Sequence, residues 1–541
     1  MQTVMERETP AREAGPARGG DAIREAVLAA PLGAVVPVWR SLPADTETPV
    51  SAYLKLRRGG TGFLLESGER DGRLGRYSFI GANPDAVLRA DLDRGTVTTE
   101  AEVTAYRAAP LDAIRSLAGT APVWEGGGPI PGLGGWGVGA AGLPGFVGGL
   151  VGAFGYDLSR TLERLPSNLP DDTGFPAALF ARYHTVLAFD HARQRMAVVT
   201  LLPPAADAVS RLEALRRGEA RIERVLDALR RGVAPTAAGV AAHGVAPVLA
   251  RHDGAEPRVP RWLPDDAGFK AAVAEAVRRI RGGEAIQVVL SRRLEAAFDG
   301  DPFDLYRALR RVSTAPYMFF LEFPEVALAG ASPEMLVRVE GGAVQVSPIA
   351  GTRTRGGEPH EDARLEAELR ADPKERAEHV MLVDLGRADL GRVCRPGSVH
   401  VPRLMEVERF SHVMHLVSVI TGRLRDGVDA LDAFAACFPA GTVSGAPRIR
   451  AMELIEELET ARRGAYAGAV AHVAPGAAAL DACITIRTMV IRRGRVLVQA
   501  GAGVVADSSP ERELAETTEK ARPLIESLAE VGAVPGAEVL P

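Results

Sequence analysis

The alternation of apolar and polar positions divides the chain into a strand-rich first half and a second half of longer elements. Across 33–110, short apolar runs such as GFLLESGE, GRYSFIGANPD and AVLRADLDRGTVTTE are separated by turn residues, which predicts β structure. Segment 205–232 places apolar residues at helical spacing with charges between them, the pattern of an amphipathic helix. A further helix is expected over 266–284, with Asp266 as its N-cap and glycines at its end, followed by a strand through AIQVVLSRRLEAAF. Residues 371–393 predict a long helix with Val380, Leu382, Val383 and Leu385 as its apolar positions. Near the end, LVQAGAGVVADSSPERELAETTEKARPLIESL reads as a strand, a glycine turn, a second strand and a capped helix. The strands are many and do not alternate regularly with helices. The expected fold class is therefore α/β in the α+β sense, with mixed or antiparallel sheets rather than a doubly wound one.

Composition narrows the setting. The chain has 541 residues, 46% hydrophobic and 25% charged, as in a soluble globular protein. Its net charge of −5 gives no general attraction to nucleic acid or to an anionic membrane, so any anionic ligand needs a local basic cluster. Cys394, Cys437 and Cys483 form no C-x-x-C pair, which argues against a disulfide framework or a zinc site. No apolar run reaches membrane-spanning length and the start lacks a secretory signal, so the cytoplasm is the expected compartment. Residues 1–30 are expected to be a disordered tail, 31–240 an N-terminal region, 241–262 a linker and 263–530 a catalytic region. The two regions are expected to interleave in one body. Within the first, the glycine-loaded 126–144 reads as a flexible loop.

Three features suggest chemistry. In SPIAGTRTRGG (347–357) almost no side-chain bulk remains at Ala350, Gly351 and Thr352, and Arg353 and Arg355 follow at once, as in a site for a small carboxylic acid. Glu375 and Glu378 share one helix face, as do Glu513 and Glu516, with Lys520 beyond. Either pair alone is what a solvated helix carries; together they fit a magnesium site with positions open to a substrate carboxylate. The GAG at 501–503 can present backbone N–H groups to an anion, although a β-turn explains it equally well.

The motifs EAIQVVLSRR, ASPEMLVRVE, SPIAGTRTRG, ERAEHVMLVDLGRADLGRV, SHVMHLVS, PAGTVSGAPRIRAMELIEELE, ACITIRT and QAGAGVVADSSPERELAETTEKA follow in that order. Together they resemble the chorismate-utilising enzymes, and among them the large subunits of anthranilate synthases. FLLESGE, RYSFIG and FVGGLVGAFGYDLSR extend the resemblance into the first half. The resemblance implies large antiparallel sheets packed as a sandwich with helices outside. It implies Mg²⁺ on Glu378 and Glu516, with Glu375 and Glu513 as an outer ring, binding the ring carboxylate of chorismate. Tyr466, Arg487 and the backbone of Gly501, Ala502 and Gly503 would hold the enolpyruvyl carboxylate. Gly351 and Thr352 would line the ring pocket, Thr442 would lie near the ring, and Lys520 would add positive charge. Glu334 would be the general acid at the C4 hydroxyl, and His415 would assist elimination of the pyruvyl arm; His412 has no counterpart and reads as structural.

Relatives that add water carry a lysine where Gln287 stands, and makers of 4-amino-4-deoxychorismate typically carry one where Ala350 stands. Their absence here points to ammonia as nucleophile and anthranilate as product. Arrest at 2-amino-2-deoxyisochorismate, 4-amino-4-deoxychorismate formation and a catalytically silent ligand-binding regulator are the alternatives. No segment resembles a glutamine amidotransferase, so such a subunit is the expected partner and source of ammonia. Glu66 and Ser67 of LLES, with Pro316, Tyr317 and Met318 of PYM, resemble the segments that bind L-tryptophan in feedback-inhibited relatives, with Tyr317 and Met318 offering a face to the indole. The chain departs from the usual motifs at Thr354, Ala388 and Arg448, where Pro, Asn and Lys are common.

Overall fold

The computed structural model describes residues 19–57, 60–68, 75–130, 135–232, 260–409 and 413–534. Two sheets of 14 and 12 strands dominate it, and every pairing between named strands is antiparallel. Both halves of the chain contribute to both sheets. In the larger sheet, strands Gln287–Ala297, Arg495–Val504, Thr488–Arg492, Val326–Ser332 and Tyr317–Phe323 lie in that order. The last pairs with Gly62–Glu66, where the first-half strands begin. In the smaller sheet the seam between halves falls between Ala469–Val473 and Gly149–Phe154.

The sheets face each other across an apolar layer that includes Phe63, Phe146, Phe319, Leu321, Val470 and Cys483. Helices cover the outer faces. Ala208–Leu229, Pro302–Val312 and Pro510–Glu530 pack on the larger sheet, while Pro373–Gly391 and Ala430–Cys437 pack on the smaller. Strands buried on both faces explain why motifs such as VALAGAS and QVVLSRRLEAA lack a clean polar–apolar alternation.

Several boundaries differ from the expectation. The tail ends sooner than residue 30: helix Gly19–Leu28 buries Ile23 and Val27, one turn apart, against the Ala208–Leu229 helix. The linker also ends sooner, because Arg261–Leu263 is a strand paired with Arg293–Glu295; residues 241–259 lie outside the described residues. Gly128–Pro129 and Trp136–Val138 form the last two short strands of the larger sheet inside the expected flexible loop, where glycine lets the chain cross the Trp39 ring. Asp265, not Asp266, caps the helix Asp266–Arg281 by accepting from the Gly268 N–H at 2.8 Å; Asp266 pairs instead with the buried Arg292.

The C-terminal strand shows the clearest difference. Arg495–Val504 runs straight through the GAG motif with no turn. Gly501 and Gly503 are extended, and their missing side chains serve neighbours: a Cβ at Gly501 would lie 2.5 Å from the Tyr466 hydroxyl, and one at Gly503 would lie 2.6 Å from Gln287 Nε2. Glycine is here for space, not for a bend.

Candidate active site

The edge of the smaller sheet and the strands around Gln287 and Gly501 bring most of the expected residues together. Ile349–Thr354 pairs with Val413–Arg423, and the register slips between Ala350 and Thr352. Gly351 is the bulge, at φ +68°, a conformation glycine takes without strain. The bulge presents the Gly351 carbonyl to His415, whose Nδ1 lies 3.0 Å away. A carbonyl only accepts, so Nδ1 carries the hydrogen and Nε2 keeps the lone pair. Burial lowers the His415 pKa; the Gly351 bond opposes this and Arg487 adds to it. The ring is held neutral, as a proton acceptor must be.

Glu334 follows Ser332, whose hydroxyl bonds to the Ile484 carbonyl at 2.7 Å. Burial pushes the Glu334 carboxyl up to about 7, against the Thr442 hydroxyl, which donates to it at 2.8 Å, and the charge of Lys520. The residue as a whole keeps partial exposure. A carboxyl balanced near neutrality can give up a proton at physiological pH.

Arg487 sits at φ +49°, a strained backbone for a non-glycine residue. Among the described residues no carboxylate lies within ion-pair distance of its guanidinium, and burial lowers its pKa. Beside Arg487, the pairing of Thr488–Arg492 with Arg495–Val504 stops at Val498, so the backbone from Gln499 onward is laddered on one side only. Tyr466 abuts Gly501 there, and Lys520 Nζ donates to the Gly501 carbonyl at 3.0 Å.

The four acids come from two helices, Pro373–Gly391 and Pro510–Glu530. Glu378 is raised by burial first, then by the charges of Glu375 and Glu516; Gln287 Nε2 donates to it at 3.4 Å. Glu513 is raised by burial and by Glu516, with the Ser508 hydroxyl opposing. Glu516 pairs with Lys520 at 2.7 Å, and Glu375 with Arg353 at 3.3 Å. Among the described residues no three acids, histidines or cysteines close into a finished ligand cage. The set nonetheless fits a hard divalent cation: its donors are all oxygen, and their mutual repulsion is what a cation relieves. Lys374 was not singled out in the sequence, yet its charge reaches both Glu378 and Glu513. Its position one helical turn before Glu378 was the available signal.

Two local readings are corrected. Arg353 pairs with Asp372 and Glu375, and Arg355 with Asp362, so neither guanidinium is held ready for a carboxylic acid. These pairs pin the bulged strand to the helices beside it. Tyr317 and Met318 are neighbours on one strand and leave opposite sheet faces. Met318 packs in the outer core with Leu64, while Tyr317 enters the layer between sheets and donates to Asp481 at 3.1 Å, so they cannot form one face for an indole.

Glu66 and Met318 are nonetheless a cross-strand pair at the seam between halves. Glu66 accepts from Tyr306 at 2.6 Å and Arg310 at 2.9 Å; Ser67 is exposed and Pro316 buried. Nothing is described of the Thr352 side chain, and His412 lies outside the described residues. Thr354 and Ala388 are exposed, whereas Arg448 pairs with the buried Asp389. No helix among the described residues is long and apolar enough to cross a membrane.

Comparison with known proteins defines the class. Residues 62–526 match the model of the chorismate binding enzymes, and the chain belongs to that family. A Streptomyces coelicolor protein named anthranilate synthase component 1 is 45% identical over 496 residues, covering 91% of this chain and 88% of its own. The protein of that name from Thermus thermophilus is 43% identical over 505 residues, covering 92% and 99%. The crystal structure of anthranilate synthase component I from Streptococcus pneumoniae matches with a TM-score of 0.68 at 34% identity, covering 89% and 98%. A menaquinone-specific isochorismate synthase from Escherichia coli, 19% identical with a TM-score of 0.63, shares the fold. The chain is an enzyme of the anthranilate synthase component 1 type.

Proposed function

We propose that the chain aminates chorismate at C2 with ammonia, expels the C4 hydroxyl as water and then eliminates pyruvate to give anthranilate. A partner glutaminase supplies the ammonia from glutamine, the reaction opens tryptophan synthesis, and L-tryptophan inhibits it. One observation carries this reading: burial raises the Glu334 carboxyl to about 7, with the Thr442 hydroxyl bonded to it, and lowers the pKa of His415, bonded to the Gly351 bulge. These are the acid and the base that the two steps need.

Attack of ammonia at C2 shifts the ring double bonds and breaks the C4–O bond. Glu334 gives its proton to the leaving oxygen, and the Thr442 hydroxyl and Lys520 stabilise the carboxylate that remains. Removal of the C2 proton then forms the C2=C3 bond and an aromatic ring as the C3–O bond breaks, and the arm leaves as enolpyruvate, which takes up the proton that the added nitrogen gives up and becomes pyruvate. His415 accepts through Nε2, the nitrogen its Gly351 contact leaves unprotonated. Arg487, Tyr466 and the half-laddered backbone at Gly501–Gly503 hold the enolpyruvyl carboxylate. Gln287, bonded to Glu378 and buried against Gly503, carries no basic nitrogen to activate water. Glu378 and Glu516 would hold Mg²⁺, with Glu375 and Glu513 behind them, and the ion would neutralise the ring carboxylate.

The His415 assignment separates the two steps experimentally. His415→Gln should still aminate chorismate but accumulate a non-aromatic amino product that retains its pyruvyl arm, read by mass and by missing anthranilate fluorescence. Anthranilate at the wild-type rate from this variant would remove His415 from the second step.

A further inference from the structure

Behind the site lies a buried ion pair that no chemical step uses. The side chains of Arg463 and Glu459 are 1% and 5% exposed. Arg463 donates to both carboxylate oxygens of Glu459, at 3.0 and 2.6 Å, and sends its remaining bonds to the carbonyls of Val443 and Val289, each at 2.7 Å. Glu459 in turn accepts from the N–H and the hydroxyl of Ser291, at 2.9 and 2.7 Å. The guanidinium also lies over the rings of Tyr156 and Tyr466, 4.8 and 5.5 Å from their centroids.

All of these destinations except Tyr156 adjoin a site residue. Val443 follows Thr442, whose hydroxyl reaches Glu334. Val289 continues the strand that starts at Gln287, and Ser291 is the ladder partner of Gly501. Tyr466 abuts Gly501 directly. A buried pair gives back in attraction roughly what it loses in hydration, so stability alone is a weak reason for it. A planar guanidinium, in contrast, fixes the directions of several partners at once.

We propose that the Arg463–Glu459 pair is a positioning unit that holds Thr442, Gln287 and Tyr466 in register across three chain segments. It touches no reacting atom and acts through those residues. The inference rests on the roles assigned above to Thr442 and Glu334.

The test compares Arg463→Lys, Thr442→Val and the double variant in ammonia-dependent turnover of chorismate. Lysine keeps the charge beside Glu459 but cannot serve both carbonyls at fixed angles. Arg463→Lys should lower kcat on the order of 100-fold, the cost of displacing a catalytic contact by about an ångström. The double variant should be no slower than the slower single, because both changes remove one contact. The limb on which activity falls with rising pH should move alkaline in both singles, since the Thr442 bond holds the Glu334 carboxyl down while Lys520 stays in place. Multiplying effects and an unmoved limb would mark a purely structural pair and overturn the proposal. If Arg463→Lys fails to fold, Glu459→Gln, which preserves shape and weakens the fork, meets the same two criteria. A wild-type chain that forms no aminated product would instead overturn the proposed function, before any variant is compared.

Discussion

Replacing Glu334 by Gln removes the ionisable group and keeps an oxygen that can accept from Thr442. In the folded chain the carboxyl is raised from 4.5 to about 7, chiefly by burial. Between those values the folded state holds a proton that the unfolded chain releases. The contribution of this group to stability is therefore lost as pH rises from 4.5 through 7, and is gone above it. That interval corresponds to roughly 3 kcal/mol, an upper bound because the residue as a whole is partly exposed. At about 2.1 cal/mol/K of unfolding entropy per residue, the 541-residue chain shifts by roughly 1 °C per kcal/mol. The variant should thus gain roughly 2–3 °C in Tm on the wild type between pH 5 and pH 8, read by calorimetry on both proteins in the same buffers. Over the same range its kcat should fall by about 10²–10⁴-fold, the usual contribution of a general acid. A Tm difference that stays flat or shrinks with rising pH would show that Glu334 is not held protonated, and the reasoning about its role would fail with it.

Glu378→Ala and Glu516→Ala should abolish turnover, whereas Glu375→Ala and Glu513→Ala should retain activity lowered by about 10–100-fold. Mg²⁺ should raise the Tm of the wild type and not that of Glu378→Ala; equal, mild effects from all four substitutions would contradict the ligand assignment. L-Tryptophan should inhibit ammonia-dependent turnover, and Ser67→Arg or Met318→Thr should relieve it with activity retained. The two segments meet as adjacent strands from different halves, so a ligand there biases how the halves sit only if it binds one arrangement better. Wild-type activity untouched by millimolar tryptophan would remove that site.

How far the fold could be read from sequence depended on which forces act locally. Helix Ala208–Leu229 was plain from its apolar stripe, and its cap Asp207 accepts from the Ser210 N–H. The passage through Gly501 and Gly503 was misread because glycine signals both turns and close approach, and only the positions of Gln287 and Tyr466 decide between them. Likewise, Arg353 and Arg355 looked free for a ligand because their partners, Asp372, Glu375 and Asp362, are set by helix packing. The seam between Glu66 and Met318 joins segments about 250 residues apart, and no local pattern encodes that pairing. Nor does spacing reveal the whole fork of Arg463: Glu459 stands four residues away, but the carbonyls of Val443 and Val289 come from two other segments.

The most direct test uses the purified chain with chorismate, Mg²⁺ and either ammonium at alkaline pH or glutamine, with products identified by mass. With ammonium, the chain alone should release anthranilate and pyruvate in equal amounts. With glutamine, it should do so only after a glutaminase subunit is added. Glutamine-driven anthranilate from the isolated chain would contradict the division of labour, and failure to aminate chorismate from ammonium would contradict the proposed reaction itself.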